Sequence, residues 1–182
     1  MALVTDGVSL EEFFAQRVHD SLDDLDLPDR GAADHLTGLL VRLARAERLS
    51  PTGVGGPVVE GITDAFDQIH RAWRMDGGGF DPAREVELRR ALADYALFTS
   101  GFFWERVRDA SMSRYFARVG RQSYRFVAGH ERTQSRARGR LYGTLAEMFE
   151  RYAGALTYLR EVYLDSDFAP WPHPAYVRVL RW

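Results

Sequence analysis

Cysteine is absent from the 182 residues, which removes disulfides, a thiolate nucleophile and sulfur-ligated metals from the available chemistry. Lysine is absent too, and all 24 basic residues are arginine. That bias fits a GC-rich genome, and it has a physical consequence. Arginine keeps its charge when partly buried and grips carboxylates with a planar fork. No window approaches the roughly 18 uninterrupted apolar residues of a membrane helix. The opening residues, MALVTDGVSLEE, carry neither the basic nor the long apolar region of a secretory signal. The expectation is therefore a cytoplasmic protein without a membrane partner. Alternating strand patterns, internal repeats and low-complexity blocks are missing as well, which leaves an all-α fold.

Net charge is only -2, but it is unevenly spread. Eight acids lie between Met1 and Arg30 against Arg17 and Arg30, whereas ten arginines lie between Trp104 and Arg140 against Glu105, Asp109 and Glu131. The length suits one domain, residues 1–167, followed by a tail, residues 168–182. The densest stretch runs from Leu92 to Val127 and holds nine aromatic residues. Leu88, Leu92, Tyr95, Thr99 and Phe102 recur at helical spacing, and Tyr115, Phe116, Val119, Ser123, Phe126 and Val127 form a second stripe. Two aromatic helices joined near residues 108–113 would make a hairpin for shorter helices to pack on. Gly101 either ends the first or admits a second backbone, and Gly120 marks a close crossing in the second.

Around this hairpin the pattern predicts about six helices. Ser9 and Glu12 form a capping-box pair ahead of Leu10, Phe13, Phe14 and Val18. Asp29 can cap a second helix with Leu36, Leu39, Leu40 and Leu43 as its apolar stripe. After the loop SPTGVGGP, a third helix follows through Val58, Ile62, Phe66, Ile69 and Trp73. Asp81 and Pro82 open the central helix, residues 84–104, with Pro82 at the position where its missing N–H costs nothing. The next spans 112–128, a turn covers 129–132, and one long helix runs from about 133 to 164. The tail, DFAPWPHPAYVRVLRW, is too proline-rich to continue it and too apolar to stay solvated. It is expected to close the bundle or clasp a second copy, which makes a homodimer the expected state.

LLVRLARAERL, residues 39–49, and LADYALFTSGFF, residues 92–103, resemble segments of an uncharacterised bacterial all-α family with a D-Y-x-L-F-x-S-G-F-F pattern. In that family a Tyr-containing helix follows, as Tyr115–Tyr124 does here. The resemblance implies an all-α fold and brings no catalytic residue.

Asp94 stands out because it lies in an apolar stretch, ALADYAL. The simpler reading is a carboxylate held by an arginine or a tyrosine hydroxyl, with Arg90 one turn away. The sharper one is a binding or acid–base site. Asp94, Tyr95, Tyr115 and Tyr124 are the candidate ligand-binding residues, and Arg114, Arg118, Arg121 and Arg125 the candidate anion-binding set. Glu60, Asp64, Asp67 and His70 share a helical face with a D-x-x-H step, but no matching carboxylate set accompanies them, so a solvated face is preferred. His19, His35, His130 and His173 share no ligand spacing. No nucleophile–base pair, Walker ending or cofactor motif is present, so neither a catalytic residue nor a cofactor is expected. The expected role is a non-catalytic interaction or regulatory module. The alternatives are a small-molecule-binding bundle, or an enzyme of unknown reaction, with its site near Asp94, and an arginine-mediated nucleic-acid binder.

Overall fold

A computed structural model describes residues 9–27, 29–49, 82–107 and 109–164. Its elements are helical throughout: α1 (Leu10–Asp24), α2 (Arg30–Leu49), α3 (Pro82–Phe102), a short 3-10 turn (Trp104–Arg106), α4 (Ala110–Glu131), α5 (Arg136–Glu147), α6 (Phe149–Tyr158) and a π-helical segment (Leu159–Leu164). The described residues contain no strand, and the all-α bundle of about six helices is the architecture. The expected third helix, its Glu60–His70 face, the glycine loops and the 168–182 tail lie outside the described residues.

The starts of the helices follow the side chains that precede them. Ser9 Oγ accepts from the Glu12 amide at 3.1 Å while Glu12 accepts from the Ser9 amide at 2.9 Å, completing the box. Asp29 Oδ1 takes the Ala32 amide at 2.9 Å and opens α2. Asp109 takes the amides of Ser111 and Met112 at the head of α4, and the Ser111 hydroxyl first, with these amides after it, holds its carboxyl below the usual range. Ser135 does the same for α5 through the Arg138 amide.

Packing centres on α3 and α4, with α5 laid on α4, α6 on α3, and α1 and α2 paired beside them. Phe116, Tyr124, Phe149, Tyr152 and Tyr158 are fully buried, and each large side chain so buried contributes about 1.5–3 kcal/mol. Of the two roles open to Gly101, the structure has the close approach: α3 continues through it to Phe102. A Cβ there would lie 2.8 Å from the carbonyl oxygen of Ala153, and the Thr157 hydroxyl donates to the Gly101 carbonyl across the same seam at 2.8 Å. Gly120 makes the second close approach, to the ring of Phe149.

Two helix boundaries differ from the sequence expectation. α4 runs through Gly129 to Glu131 instead of turning there, and its end is closed by the Arg132 amide on the Ala128 carbonyl and the Thr133 hydroxyl on the His130 carbonyl. The single helix expected over 133–164 is broken at Met148, whose φ of -107° and ψ of 26° are not helical. The break comes immediately before Phe149, the residue seated over Gly120. Leu141, Leu145, Met148, Tyr152 and Leu156 keep steps of three or four across the break, which is why the spacing concealed it.

The 3-10 turn is tied to the far end of the chain. Trp104 Nε1 donates to Glu161 at 2.9 Å, and the Arg160 guanidinium bridges Glu105 and the Phe102 carbonyl. Asp24, the last residue of α1, accepts from both Tyr158 at 3.0 Å and Tyr163 at 2.6 Å. Burial, together with that carboxylate, pushes the Tyr163 hydroxyl well above its ordinary pKa.

Candidate functional site

Asp94 lies on the buried side of α3 between Ala93 and Ala96, 7% exposed. Apolar neighbours alone would make an ionised carboxylate there costly. Three helices answer it. From α4 the Tyr124 hydroxyl donates to Oδ1 at 2.8 Å, and from α2 His35 Nε2 approaches the same oxygen at 2.8 Å. Since a carboxylate only accepts, Nε2 carries the proton in this arrangement. Arg42, two turns along α2 from His35, donates to Oδ2 at 2.9 Å. Both carboxylate oxygens are therefore occupied. The Tyr124 ring stacks near Tyr142 at 5.9 Å, and His35 meets Tyr142 edge-on at 5.7 Å. Burial first, and the Asp94 charge second, pushes the Tyr124 hydroxyl well above its ordinary pKa.

The candidate ligand set is thus brought together only in part. Asp94 and Tyr124 are bonded. Tyr95 is half-buried against the core and is not among the partners of Asp94. Tyr115 lies more than two turns from Tyr124 on α4, against Phe116, with Arg118 5.8 Å from its ring centre. Arg90 is turned to the Tyr142 hydroxyl instead of Asp94. His35 and Arg42 were missed by sequence reasoning. They stand seven residues apart, one helical face, with Leu39 of the buried stripe between them, and that spacing was the available signal. Glu85 was missed as well: it is 1% exposed and paired with Arg89 Nε at 2.7 Å, whose guanidinium covers the Phe126 ring at 4.4 Å.

The four arginines of the candidate anion set do come together. Arg114, Arg118, Arg121 and Arg125 fall at i, i+4, i+7 and i+11 on α4 and line one open groove with Ser113, Ala117 and Gln122. Its volume is about 500 Å³, and it runs for about 16 Å of helix at 1.5 Å per residue. Glu150 of α6 closes one side and pairs with Arg121. Among the described residues, neither Arg114 nor Arg125 has an ion-pair partner in the groove. The acidic α1, an obvious internal partner in the sequence, packs on α2 and α6 instead.

Among the described residues no group of three or more His, Asp or Glu is placed to hold a metal, and no helix is long and apolar enough to cross a membrane. No family model matches the sequence, and no curated protein or solved structure does so either.

Proposed function

We propose that this chain is a non-catalytic interaction module that binds an anionic partner along the arginine groove of α4. The observation that carries the reading is the alignment of four guanidinium groups along a single open groove, where Glu150 is the one acid among the described lining residues. Each guanidinium offers a fork matched to carboxylate or phosphate. The Asp94 cluster supports the same reading from the other side. Its oxygens are taken by Tyr124, His35 and Arg42, so it serves as a polar lock between α2, α3 and α4 and offers no unengaged acid–base group.

Fluorescence anisotropy of dilute protein with labelled polyglutamate and with single-stranded and duplex DNA tests the proposal. Binding of at least one probe at low salt is expected. It should weaken steeply as salt rises and disappear when Arg114, Arg118, Arg121 and Arg125 are changed together to Ala. The circular dichroism of that variant should remain helical. If neither kind of probe binds at low salt, the proposal fails.

A further inference from the structure

We infer that the anionic partner is a second copy of this chain, presenting the acidic face of its α1 to the arginine groove of α4. The inference rests on the anion-binding reading above. The groove is open and follows α4 from Arg114 to Arg125, a length suited to another helix and poorly suited to a compact anion. Among the described residues its lining adds Ser113, Ala117, Gln122 and Glu150 to the arginines, and none of these is an aromatic ring on which a nucleic-acid base could stack.

α1 supplies the complement. It carries five carboxylates against Arg17, and its exposed side runs through Glu12, Gln16 and Asp23, with half-buried Asp20 beside them. Glu12, Gln16, Asp20 and Asp23 fall at i, i+4, i+8 and i+11, nearly the register of Arg114, Arg118, Arg121 and Arg125. Gln16 and Asp20 already hold one another at 2.9 Å, which keeps that stripe ordered. Two helices laid side by side therefore bring acidic positions against basic ones over about three turns. Within one copy this cannot be satisfied, since α1 is held on α2 and α6 with Asp24 bonded to Tyr158 and Tyr163. Between copies related by a two-fold axis, the same contact forms twice and closes the assembly. An interface made chiefly of exposed ion pairs is weak and salt-sensitive.

A charge-swap experiment tests this. The parent should sediment as a dimer at low salt and high concentration and fall to one copy of 20.7 kDa as salt is raised. Asp20→Arg with Asp23→Arg, and separately Arg114→Glu with Arg125→Glu, should each give folded monomers. None of these four side chains caps a helix. Mixing the two monomeric variants should restore the dimer, because reversed acids then face reversed arginines. A parent that stays monomeric at low salt overturns the inference. So does a dimer that survives both salt and reversal, which is held elsewhere, or a pair of monomeric variants that fails to reassociate. A monomeric parent that still binds polyglutamate or DNA leaves the anion-binding reading standing, with the groove assigned to peptide carboxylates or to phosphate. A monomeric parent that binds no probe removes both.

Discussion

The ring of Phe149 occupies the space that a Cβ on Gly120 would need, with Cζ 2.5 Å from the ideal position. Phe149 is fully buried, so it cannot swing away. Gly120→Ala should therefore cost about 1–3 kcal/mol through overpacking and lower the melting temperature by several degrees. Gly129, nine residues on in the same helix, has nothing within 4 Å of its missing Cβ. Gly129→Ala should gain about 1 kcal/mol from helix propensity. Thermal melts of the two variants measure both signs, and a stabilised Gly120→Ala would remove the close crossing.

The Tyr124 hydroxyl makes stability depend on alkaline pH. Its folded pKa is raised above 10.0, so the folded state keeps the proton that the unfolded chain releases. The stabilisation is complete below pH 10.0 and is lost as pH rises through the folded pKa. Tyr124→Phe should cost about 1–3 kcal/mol at neutral pH, because one donor to Asp94 is gone. It should also flatten the alkaline fall relative to the parent. Tyr142 and Tyr152, the latter pushed up to about 12, stay in place and retain part of that fall. Urea titrations at neutral and alkaline pH give the comparison, and an unchanged alkaline slope would count against Tyr124.

Arg89 is the partner of a carboxylate that cannot reach water. Removing it as Arg89→Met leaves Glu85 buried and uncompensated, which should cost about 3–5 kcal/mol. Replacing both, as Glu85→Leu with Arg89→Met, should recover most of the loss. Chemical denaturation of the two variants separates a penalty for unpaired charge from a net contribution of the pair. Equal destabilisation in both would mean that the pair itself stabilises the fold.

Ser21 presents the opposite case. The residue is 1% exposed and its hydroxyl has no hydrogen-bond partner among the described residues, in a gap lined by Val18, Leu22, Leu36 and Leu156 that is too narrow for a water molecule. Ser21→Ala removes an unpaid desolvation and should raise stability by about 1 kcal/mol. Loss of stability on this change, measured by thermal melting, would show that the hydroxyl has a partner.

Much of this arrangement was legible in the residues. The capping box at Ser9, the Asp29 cap, the leucine stripe of α2 and the aromatic hairpin each depend on neighbours a few positions away, and local chemistry decides them. The arginine face was legible for the same reason, since four positions on one helix share a side whatever surrounds it. The Asp94 site was only half legible. Its carboxylate was conspicuous among alanines and leucines, but His35 lies 59 residues away and joins it only when α2 docks on α3. The break at Met148 left no mark because the apolar spacing from Leu141 through Leu145, Met148, Tyr152 and Leu156 runs across it unchanged. Position in space, not composition, separates these cases.

Asp24 and Tyr158 are 134 residues apart in sequence, whereas α3, α4 and α5 are consecutive neighbours. Pairing consecutive helices closes short loops and is fast, while a contact across most of the chain adds loop-closure entropy and comes late. During synthesis α1 is made before the other described helices, yet the hydroxyls that hold its last turn, and the Ala155–Leu159 surface under Val18 and Leu22, are among the last described residues to be made. Among the described elements, α1 therefore has only α2 to pack on until α6 has emerged.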